Sequence, residues 1–177
     1  MKNTKLLVTS MACLAATAVM AQTETDFDSE ELFRANETSI DAFGSISVGQ
    51  RTIDNLSGNR VGDDGELGAG VGLNHFYTRY LGVGADAYSE DTDGGFIDNS
   101  SLNLILRLPI DELHLAPYVY GGGGYQFEPG DVAFGQAGAG LELRLDRDFG
   151  IFADARYVMT DGTENFGVGR AGVRLTF

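Results

Sequence analysis

Side chains suited to acid–base catalysis are scarce in this chain of 177 residues. Its two histidines, His75 and His114, each lie beside a short predicted turn. Ser89 and Ser100, which a histidine base would activate, lie toward the opposite ends of the predicted strands. Since a strand of about ten residues is roughly 33 Å long, these groups cannot form one catalytic site. The sequence therefore predicts that the protein is not an enzyme.

Two motifs are the other candidates for ligand binding. Gly68, Gly70 and Gly72 are spaced like part of a nucleotide fingerprint, but they alternate within a predicted strand and no helix follows. The run from Asp91 to Gly94 is similar to a fragment of a calcium-binding loop, yet Leu102 occupies the twelfth position, where a glutamate ligand is needed. We expect no cofactor and no metal site, and weak cation binding by this acidic loop stays open as an alternative.

Alternating acidic residues and arginines indicate ion pairing instead. Glu142 and Arg144 form an acid-x-Arg motif, and Asp154 and Arg156 repeat it on the next predicted strand. Pairing Glu142 with Arg156 and Arg144 with Asp154 would place opposite charges across the ladder, so we expect this register. The alternative is a set of exposed surface pairs, which contribute little to stability.

Alternation of side chains with period two predicts the strands that carry these charges. The predicted strands are 40–50, 66–75, 81–88, 100–108, 115–127, 132–145, 150–159 and 165–177. Their lengths are close to the 9 to 11 residues of a tilted membrane-spanning strand. The first and third connections are long, whereas the second, fourth and sixth are short, as in barrels with one end outside the cell.

The first 21 residues predict a secretory signal peptide. Lys2 and Lys5 precede an apolar stretch that ends at Met20, and Ala21 offers a cleavage site. Removing these residues leaves 156, with no lysine or cysteine, and ten arginines against 26 acidic residues give a net charge of −16. This charge argues against nucleic-acid binding. Residues 22–38 form an acidic N-terminal segment that we expect to be a solvated tail, with one helical turn near Ser29.

The composition of the two strand faces decides which one points inward. One face is apolar, while the other is rich in glycine and carries both signs of charge in near balance. A narrow eight-stranded barrel suits inward side chains that are small or mutually paired, so we expect the polar face to line the lumen and the apolar face to meet lipid. The predicted lumen ion-pair cluster comprises Asp41, Asp86, Arg107, Glu142, Arg144, Asp154, Arg156, Arg170 and Arg174.

Aromatic residues toward the two strand ends predict interfacial girdles. The predicted girdle at the short turns comprises Phe76, Tyr77, Tyr80, Phe149 and Phe177, and the one at the longer loops comprises Tyr88, Phe96, Tyr125, Phe127, Tyr157 and Phe166.

The last nine residues form an alternating strand that ends on an aromatic side chain. Its apolar face, which we interpret as a C-terminal insertion signature, comprises Gly169, Ala171, Val173, Leu175 and Phe177. With the runs at 138–144 and 154–157, this strand resembles the small eight-stranded bacterial outer-membrane β-barrels, the group that contains the transmembrane domain of outer membrane protein A and outer membrane protein X. The resemblance covers residues 39–177.

The resemblance implies an all-β, eight-stranded antiparallel up-and-down transmembrane β-barrel with a side-chain-filled lumen. It implies location in the outer membrane, contact with outer-membrane lipid, delivery by periplasmic chaperones to the barrel-insertion machinery, and a monomer. The expected function is structural, or interaction at the cell surface through acidic extracellular loops. Two alternatives stay open: a secreted soluble lipocalin-like barrel that binds an apolar ligand, and a lipid-modifying outer-membrane enzyme.

Overall fold

The computed structural model describes residues 32–49, 52–53, 60–61, 66–90, 97–127, 131–160 and 165–177. Its strands are β1 (Glu37–Val48), β2 (Thr52–Ile53), β3 (Arg60–Val61), β4 (Glu66–Phe76), β5 (Leu81–Glu90), β6 (Asn99–Arg107), β7 (Leu115–Gln126), β8 (Val132–Arg144), β9 (Phe149–Thr160) and β10 (Phe166–Thr176). A short 3₁₀ helix spans Asp111–Leu113. No helix among the residues described is long and apolar enough to cross a membrane.

Eight of these strands close into an antiparallel barrel in the order β1-β10-β9-β8-β7-β6-β5-β4. Each strand pairs with its neighbour along the chain, and β1 closes the cylinder by pairing with β10 on one side and β4 on the other. The strands β2 and β3 form a separate two-stranded hairpin in the connection between β1 and β4. The prediction of an all-β, eight-stranded up-and-down barrel is confirmed.

The two ends of the barrel differ in the length of their connections. At one end, which we call the turn end, short connections join β4 to β5, β6 to β7, and β8 to β9. The backbone of Thr38 there exchanges two hydrogen bonds with that of Phe177, at 3.0 and 2.9 Å. The opposite end, the loop end, carries the connections that follow β1, β5, β7 and β9. The first barrel strand therefore begins, and the last barrel strand ends, at the turn end.

The apolar face of the barrel points outward and the polar face points inward. Along β1, for example, the side chains alternate strictly between buried and exposed positions after Ser39. Val71 is 60% exposed and Leu102 is 69% exposed, whereas Arg107 and Arg156 are each 3% exposed. The interior is thus a polar core, and the large aliphatic side chains cover the outer surface.

Close approach of neighbouring strands explains the glycines on the inner face. A Cβ atom at Gly172 would meet the carbonyl oxygen of Ala42 and lie 2.7 Å from Cβ of Phe43. A Cβ atom at Gly140 would lie 2.7 Å from the ring of Tyr118. Real Cβ atoms essentially never show such distances, so a side chain at either position would force neighbouring atoms to shift.

The register between β8 and β9 differs from our expectation. Glu142 lies opposite Phe152 rather than opposite Arg156, and Arg144 lies opposite Gly150. The expected register was therefore wrong by four positions. The four charged side chains of the two acid-x-Arg motifs all point inward, but they find their partners elsewhere in the lumen.

The turn between β8 and β9 is the physical reason for this register. The amide of Leu145 donates to the carbonyl of Phe149 at 2.9 Å. The carboxylate of Asp146 accepts hydrogen bonds from the amides of Asp148 and Phe149, at 2.9 and 2.7 Å. Aspartate side chains stabilise tight turns in this way. The short turn fixes which residues lie opposite each other, and the charges must pair within that constraint.

The N-terminal segment packs against the turn end instead of extending into solvent. Phe33 is completely buried, and Glu37 is 3% exposed. Residues 32–36 contain no helix, and the amide of Arg34 donates to the carboxylate of Glu37 at 3.1 Å. The expectation of a solvated tail was wrong for this part, because inward arginines bind both side chains. The predicted signal peptide and Ser29 lie outside the described residues.

The aromatic girdles are only partly as expected. Phe76, Tyr88 and Phe166 point into the lumen and are at most 2% exposed, so their assignment to the outer girdles was wrong. Each lies at an inward position of the strand alternation, which was the better guide to its orientation. Phe149 is half-buried, and Phe96 lies outside the described residues. The exposed members are Tyr77, Tyr80, Tyr125, Phe127, Tyr157 and Phe177.

Candidate functional site

A charged cluster closes the turn end of the lumen around Glu37. One oxygen of its carboxylate accepts a hydrogen bond from Arg107 and, at 2.7 Å, another from Nη2 of Arg144. Nε of Arg144 donates to Glu142, and Nε of Arg107 donates to the carbonyl of Arg79 at 2.7 Å. Three strands, β1, β6 and β8, are therefore joined through buried ion pairs at one level of the barrel.

Phe33 covers this cluster from the turn end. Its ring lies 5.2 Å from the guanidinium carbon of Arg107 and 4.8 Å from that of Arg144. Both arginines also donate to backbone carbonyls of the same segment, Arg107 to Arg34 at 3.1 Å and Arg144 to Leu32 at 3.2 Å. Cation–π contacts of this kind are worth about 2 kcal/mol when desolvated. The segment therefore covers the turn end of the lumen and is held there by both arginines.

Arg174 connects this cluster to the middle of the lumen. It donates to both oxygens of Asp41 at 2.7 Å and to Glu142. Asp41 lies directly opposite Arg174 in the pairing of β1 with β10, and it also accepts from Asn74 at 2.9 Å. Bidentate arginine–carboxylate pairs of this kind are among the stronger charge-assisted interactions in proteins.

A second network lies around Asp154. Arg170, directly opposite it on β10, donates to both of its oxygens at 2.9 Å. The hydroxyls of Tyr118 and Tyr120 donate to the same carboxylate at 2.7 and 2.9 Å. Asp154 therefore accepts four hydrogen bonds inside the barrel, which satisfies its lone pairs and its charge.

Asp86 extends this second network across the lumen. Arg156 donates to it at 3.1 Å, and Nη1 of Arg170 lies 3.3 Å from its other oxygen. The amide of Asn103 donates to the same carboxylate at 3.1 Å, while its oxygen accepts from Gln136 at 2.6 Å. Charged and neutral polar groups thus form this second network together.

The structure places all nine residues of the proposed lumen cluster on the inner face. It joins Asp41, Arg107, Glu142, Arg144 and Arg174 in the first network through Glu37, and Asp86, Asp154, Arg156 and Arg170 in the second. Glu37 was missed because we assigned it to the acidic segment. The alternation that contains Asp41 and Ser39 continues back to it, and this was the signal that could have found it.

Other polar members of the lumen were also missed by sequence reasoning. Tyr118 and Tyr120 alternate along β7, but their strand was given no inward face because its four-glycine run obscured the pattern. Asn74, Asn103 and Gln136 lie at inward positions, yet they carry no charge and were not counted. A search for all polar residues at inward positions would have found the three amides, and continuing the alternation through the glycine run would have found the two tyrosines.

Both histidines lie at the turn end and take part in local structure. His75 is hydrogen-bonded through Nδ1 to the hydroxyl of Thr38 at 3.0 Å, and its ring packs on Tyr77. His114 follows the 3₁₀ helix in the left-handed conformation, with φ of 54°. Among the residues that the structure describes, no group of histidine, cysteine and carboxylate side chains could hold a metal ion.

The residues of the C-terminal signature face outward from β10. Val173, Leu175 and Phe177 are exposed, the last of them to 65%. Gly169 and Ala171 lie on the same face and pair with Ile46 and Gly44 of β1. The strand therefore presents an apolar surface outside and two arginines inside.

Comparison with known proteins identifies the fold. No protein-family model matches the sequence, and no curated protein matches it. The N-terminal β-barrel domain of OprF from Pseudomonas aeruginosa is 17% identical, with a TM-score of 0.61, over 81% of this chain and 99% of that one. OprG from the same organism is 14% identical, with a TM-score of 0.53, over 81% and 97%.

Ail, the attachment invasion locus protein of Yersinia pestis, is a further similar structure. It is 17% identical, with a TM-score of 0.52, over 81% of this chain and 99% of that one. Its crystal contained the heparin analogue sucrose octasulfate. At these identities the likeness concerns the backbone and not the side chains that set function. The chain has the fold of the small eight-stranded outer-membrane β-barrels.

Proposed function

We propose that this protein is a non-enzymatic outer-membrane β-barrel with a structural or surface-interaction role. The observation that carries the proposal is that the two faces are reversed relative to those of a soluble barrel. Aliphatic side chains point outward, and five paired arginines point inward. In water such a surface would be an aggregation hazard, whereas hydrocarbon is its natural solvent. Outer-membrane lipid is therefore its first partner, reached through export, periplasmic chaperones and the barrel-insertion machinery.

The loop end is the part of the barrel that we assign to the cell exterior. Three of its connections together contain seven acidic residues and no basic residue: Asp91, Asp93, Asp98, Glu128, Asp131, Asp161 and Glu164. Asp98 is buried, and the other charges repel polyanions such as the sulfated ligand in the Ail crystal and favour cationic partners. Interaction at the surface is thus proposed to occur through negative loops carried by a rigid, monomeric barrel.

The alternatives are less well supported by the described residues. A lipocalin-like protein needs an apolar interior for its ligand, but this lumen contains two ion-pair networks. A lipid-modifying enzyme would need a histidine base near the outer rim of the barrel. His75 and His114 both lie at the turn end and are engaged in local structure.

Fractionation of cells tests the membrane assignment. We expect the protein in the outer-membrane fraction, extractable only with detergent, with a gel mobility that changes on heating as the barrel unfolds. Recovery as a soluble periplasmic protein that needs no detergent would contradict the proposal.

Cysteine labelling tests which end faces outward, since the chain after residue 21 contains no cysteine. We expect Asp93→Cys in a loop to react with a membrane-impermeant maleimide on intact cells. Arg147→Cys, in the turn between β8 and β9, is the matched control and should react only after the outer membrane is permeabilised. The reverse pattern would show that the acidic loops face the periplasm.

A further inference from the structure

Residues 32–36 form a strap that the chain folds back over the turn end of its own lumen. Asn36 adopts the left-handed conformation, with φ of 55°, which asparagine tolerates better than most residues. The amide of Arg34 donates to the carboxylate of Glu37 across this turn, at 3.1 Å. The turn reverses the chain just before β1 begins, and the ring of Phe33 inside it is completely buried.

The strap is held by side chains from strands that are not neighbours of β1. Arg107 of β6 donates to the carbonyl of Arg34 at 3.1 Å, and Arg144 of β8 donates to that of Leu32 at 3.2 Å. Both guanidinium groups also contact the ring of Phe33. In the barrel order, β6 and β8 each lie three strands from β1, in opposite directions around the cylinder. The strap therefore joins three places on the barrel across the lumen rather than along a ladder.

These contacts depend on closure of the barrel. In a flat, open sheet, in which β1 pairs with β4 but not with β10, β8 is the fifth strand away from β1, at a distance of about 24 Å. The chain from Phe33 to Glu37 spans at most about 14 Å when fully extended. Closure shortens the path to three strands and turns both strands toward the same lumen. The strap therefore docks on Arg144 when the cylinder is complete.

We propose that residues 32–36 act as a detachable strap that docks after the barrel has closed and slows its reopening. Interactions that form after the rate-limiting step of folding leave the folding rate unchanged and lower the unfolding rate. A segment that precedes the first barrel strand can undock locally while β1 keeps its pairing with β10 and β4. The strap thus gives the finished barrel kinetic stability and takes no part in its assembly.

Unfolding and folding rates of the full chain in phosphatidylcholine vesicles test this order of events. Phe33→Ala removes the ring that contacts both arginines, so we expect unfolding in urea to be about tenfold faster and folding to stay within about twofold of the wild-type rate. Asn36→Val, which makes the left-handed turn unfavourable without removing a lumen side chain, should likewise accelerate unfolding alone. The mobility of folded and unfolded bands on gels measures both rates.

Arg34→Ala is the matched control within the strap. The side chain of Arg34 is 36% exposed and lies 3.9 Å from Asp148, and such surface pairs contribute little. The substitution keeps the backbone carbonyl to which Arg107 donates. We therefore expect both rates of this variant to match those of the wild type.

Hydrogen exchange of the wild-type barrel in lipid nanodiscs tests detachment directly. We expect the amide of Arg34 to exchange at least about tenfold faster than the ladder amides of β1, because undocking separates no strands. Three results would overturn the proposal. They are slower folding of Phe33→Ala, including failure to fold; unfolding of Phe33→Ala no faster than that of Arg34→Ala; and exchange of the Arg34 amide at the rate of the β1 ladder.

Discussion

Glu37 illustrates at the residue scale how a buried charge depends on its partners. Within the described residues, Glu37 supplies the carboxylate that accepts a hydrogen bond from Arg107, whereas Arg144 donates to both Glu37 and Glu142. A charge taken out of water is tolerated only when it is paired, and removing one partner of a buried pair typically costs 3 to 5 kcal/mol. The side chain of Glu37 therefore stabilises the barrel chiefly by neutralising the charges of Arg107 and Arg144.

Replacing Glu37 by glutamine tests this dependence. Because the amide keeps the size of the side chain but removes the carboxylate charge that is hydrogen-bonded to Arg107, we expect Glu37→Gln to lower the free energy of unfolding by about 3 kcal/mol. The chain has no tryptophan, so urea unfolding in lipid vesicles is followed by the mobility of folded and unfolded bands on gels.

Asp148→Asn is the matched control for this change. Asp148 pairs with Arg34 at 3.9 Å and its side chain is 79% exposed, so its loss should cost less than about 1 kcal/mol. Equal effects of the two substitutions would show that the turn-end cluster is solvated.

Inward positions could be predicted from the sequence at this scale, while partners could not. Alternation places Asp154 and Arg170 on the inner face, and direct opposition on β9 and β10 then joins them. Arg144 and Glu37 lie 107 positions apart, and their contact depends on how the strands tilt and stagger around the barrel. That geometry follows from turn lengths and closure together, which no local pattern specifies.

At the scale of the element, strand number and direction follow from alternation and from the short turns. Register is the part that sequence reasoning got wrong between β8 and β9, because we maximised charge pairing and gave the turn too little weight. The short hydrogen-bonded turn around Asp146 restricts the pairing before any side chain across the ladder can contribute. Charges then adapt by pairing across the lumen, where long arginine side chains have several acceptors within reach.

Close strand packing on the inner face gives a prediction for Gly172. We expect Gly172→Ala to destabilise the barrel by about 1 to 3 kcal/mol, the usual cost of overpacking, because its methyl group would overlap the backbone of Ala42. Urea unfolding in vesicles measures the change.

Gly44→Ala serves as the control for β-strand glycines in general. Its Cβ atom would point outward, with its nearest neighbour, the carbonyl of Gly68, at 3.8 Å. This variant should be as stable as the wild type, or more stable by about 0.5 kcal/mol, since alanine is less flexible in the unfolded chain. A loss as large as that of Gly172→Ala would mean that inward crowding is not the cause.

At the scale of the whole molecule, the environment of the outer surface distinguishes a membrane barrel from a soluble one. Val71 lies at the centre of β4, so Val71→Arg should cost about 2 to 4 kcal/mol in vesicles, the penalty for a charge near the bilayer midplane. At an exposed position in water the same change would be nearly neutral. Equilibrium unfolding in vesicles provides the measurement.

Leu108→Arg is the control at the edge of the same surface. Leu108 is 61% exposed, as Val71 is 60% exposed, but it follows the last residue of β6, where the interface makes the penalty about 0 to 1 kcal/mol. Equal and negligible costs at both positions would indicate that the outer face meets water.

The filled lumen predicts the electrical behaviour of the barrel. Phe33 and the arginine–carboxylate networks occupy its interior, and eight strands leave room only for side chains. In a planar lipid bilayer we therefore expect the purified protein to give no stable single-channel steps. Reproducible steps of porin size would contradict the packed interior described for residues 32–49 and the strands around them.

The charges of the lumen also affect the solubility of the unfolded chain before the barrel forms. Asp41 and Arg174 lie 133 positions apart, and they neutralise each other only when the first strand meets the last. Before the strands pair, ten charged side chains of the lumen stay hydrated, interspersed among the aliphatic residues of six of the eight barrel strands. The charged groups that stabilise the finished barrel therefore also keep the unfolded chain soluble, and the chain loses that solubility as the strands pair and the barrel closes.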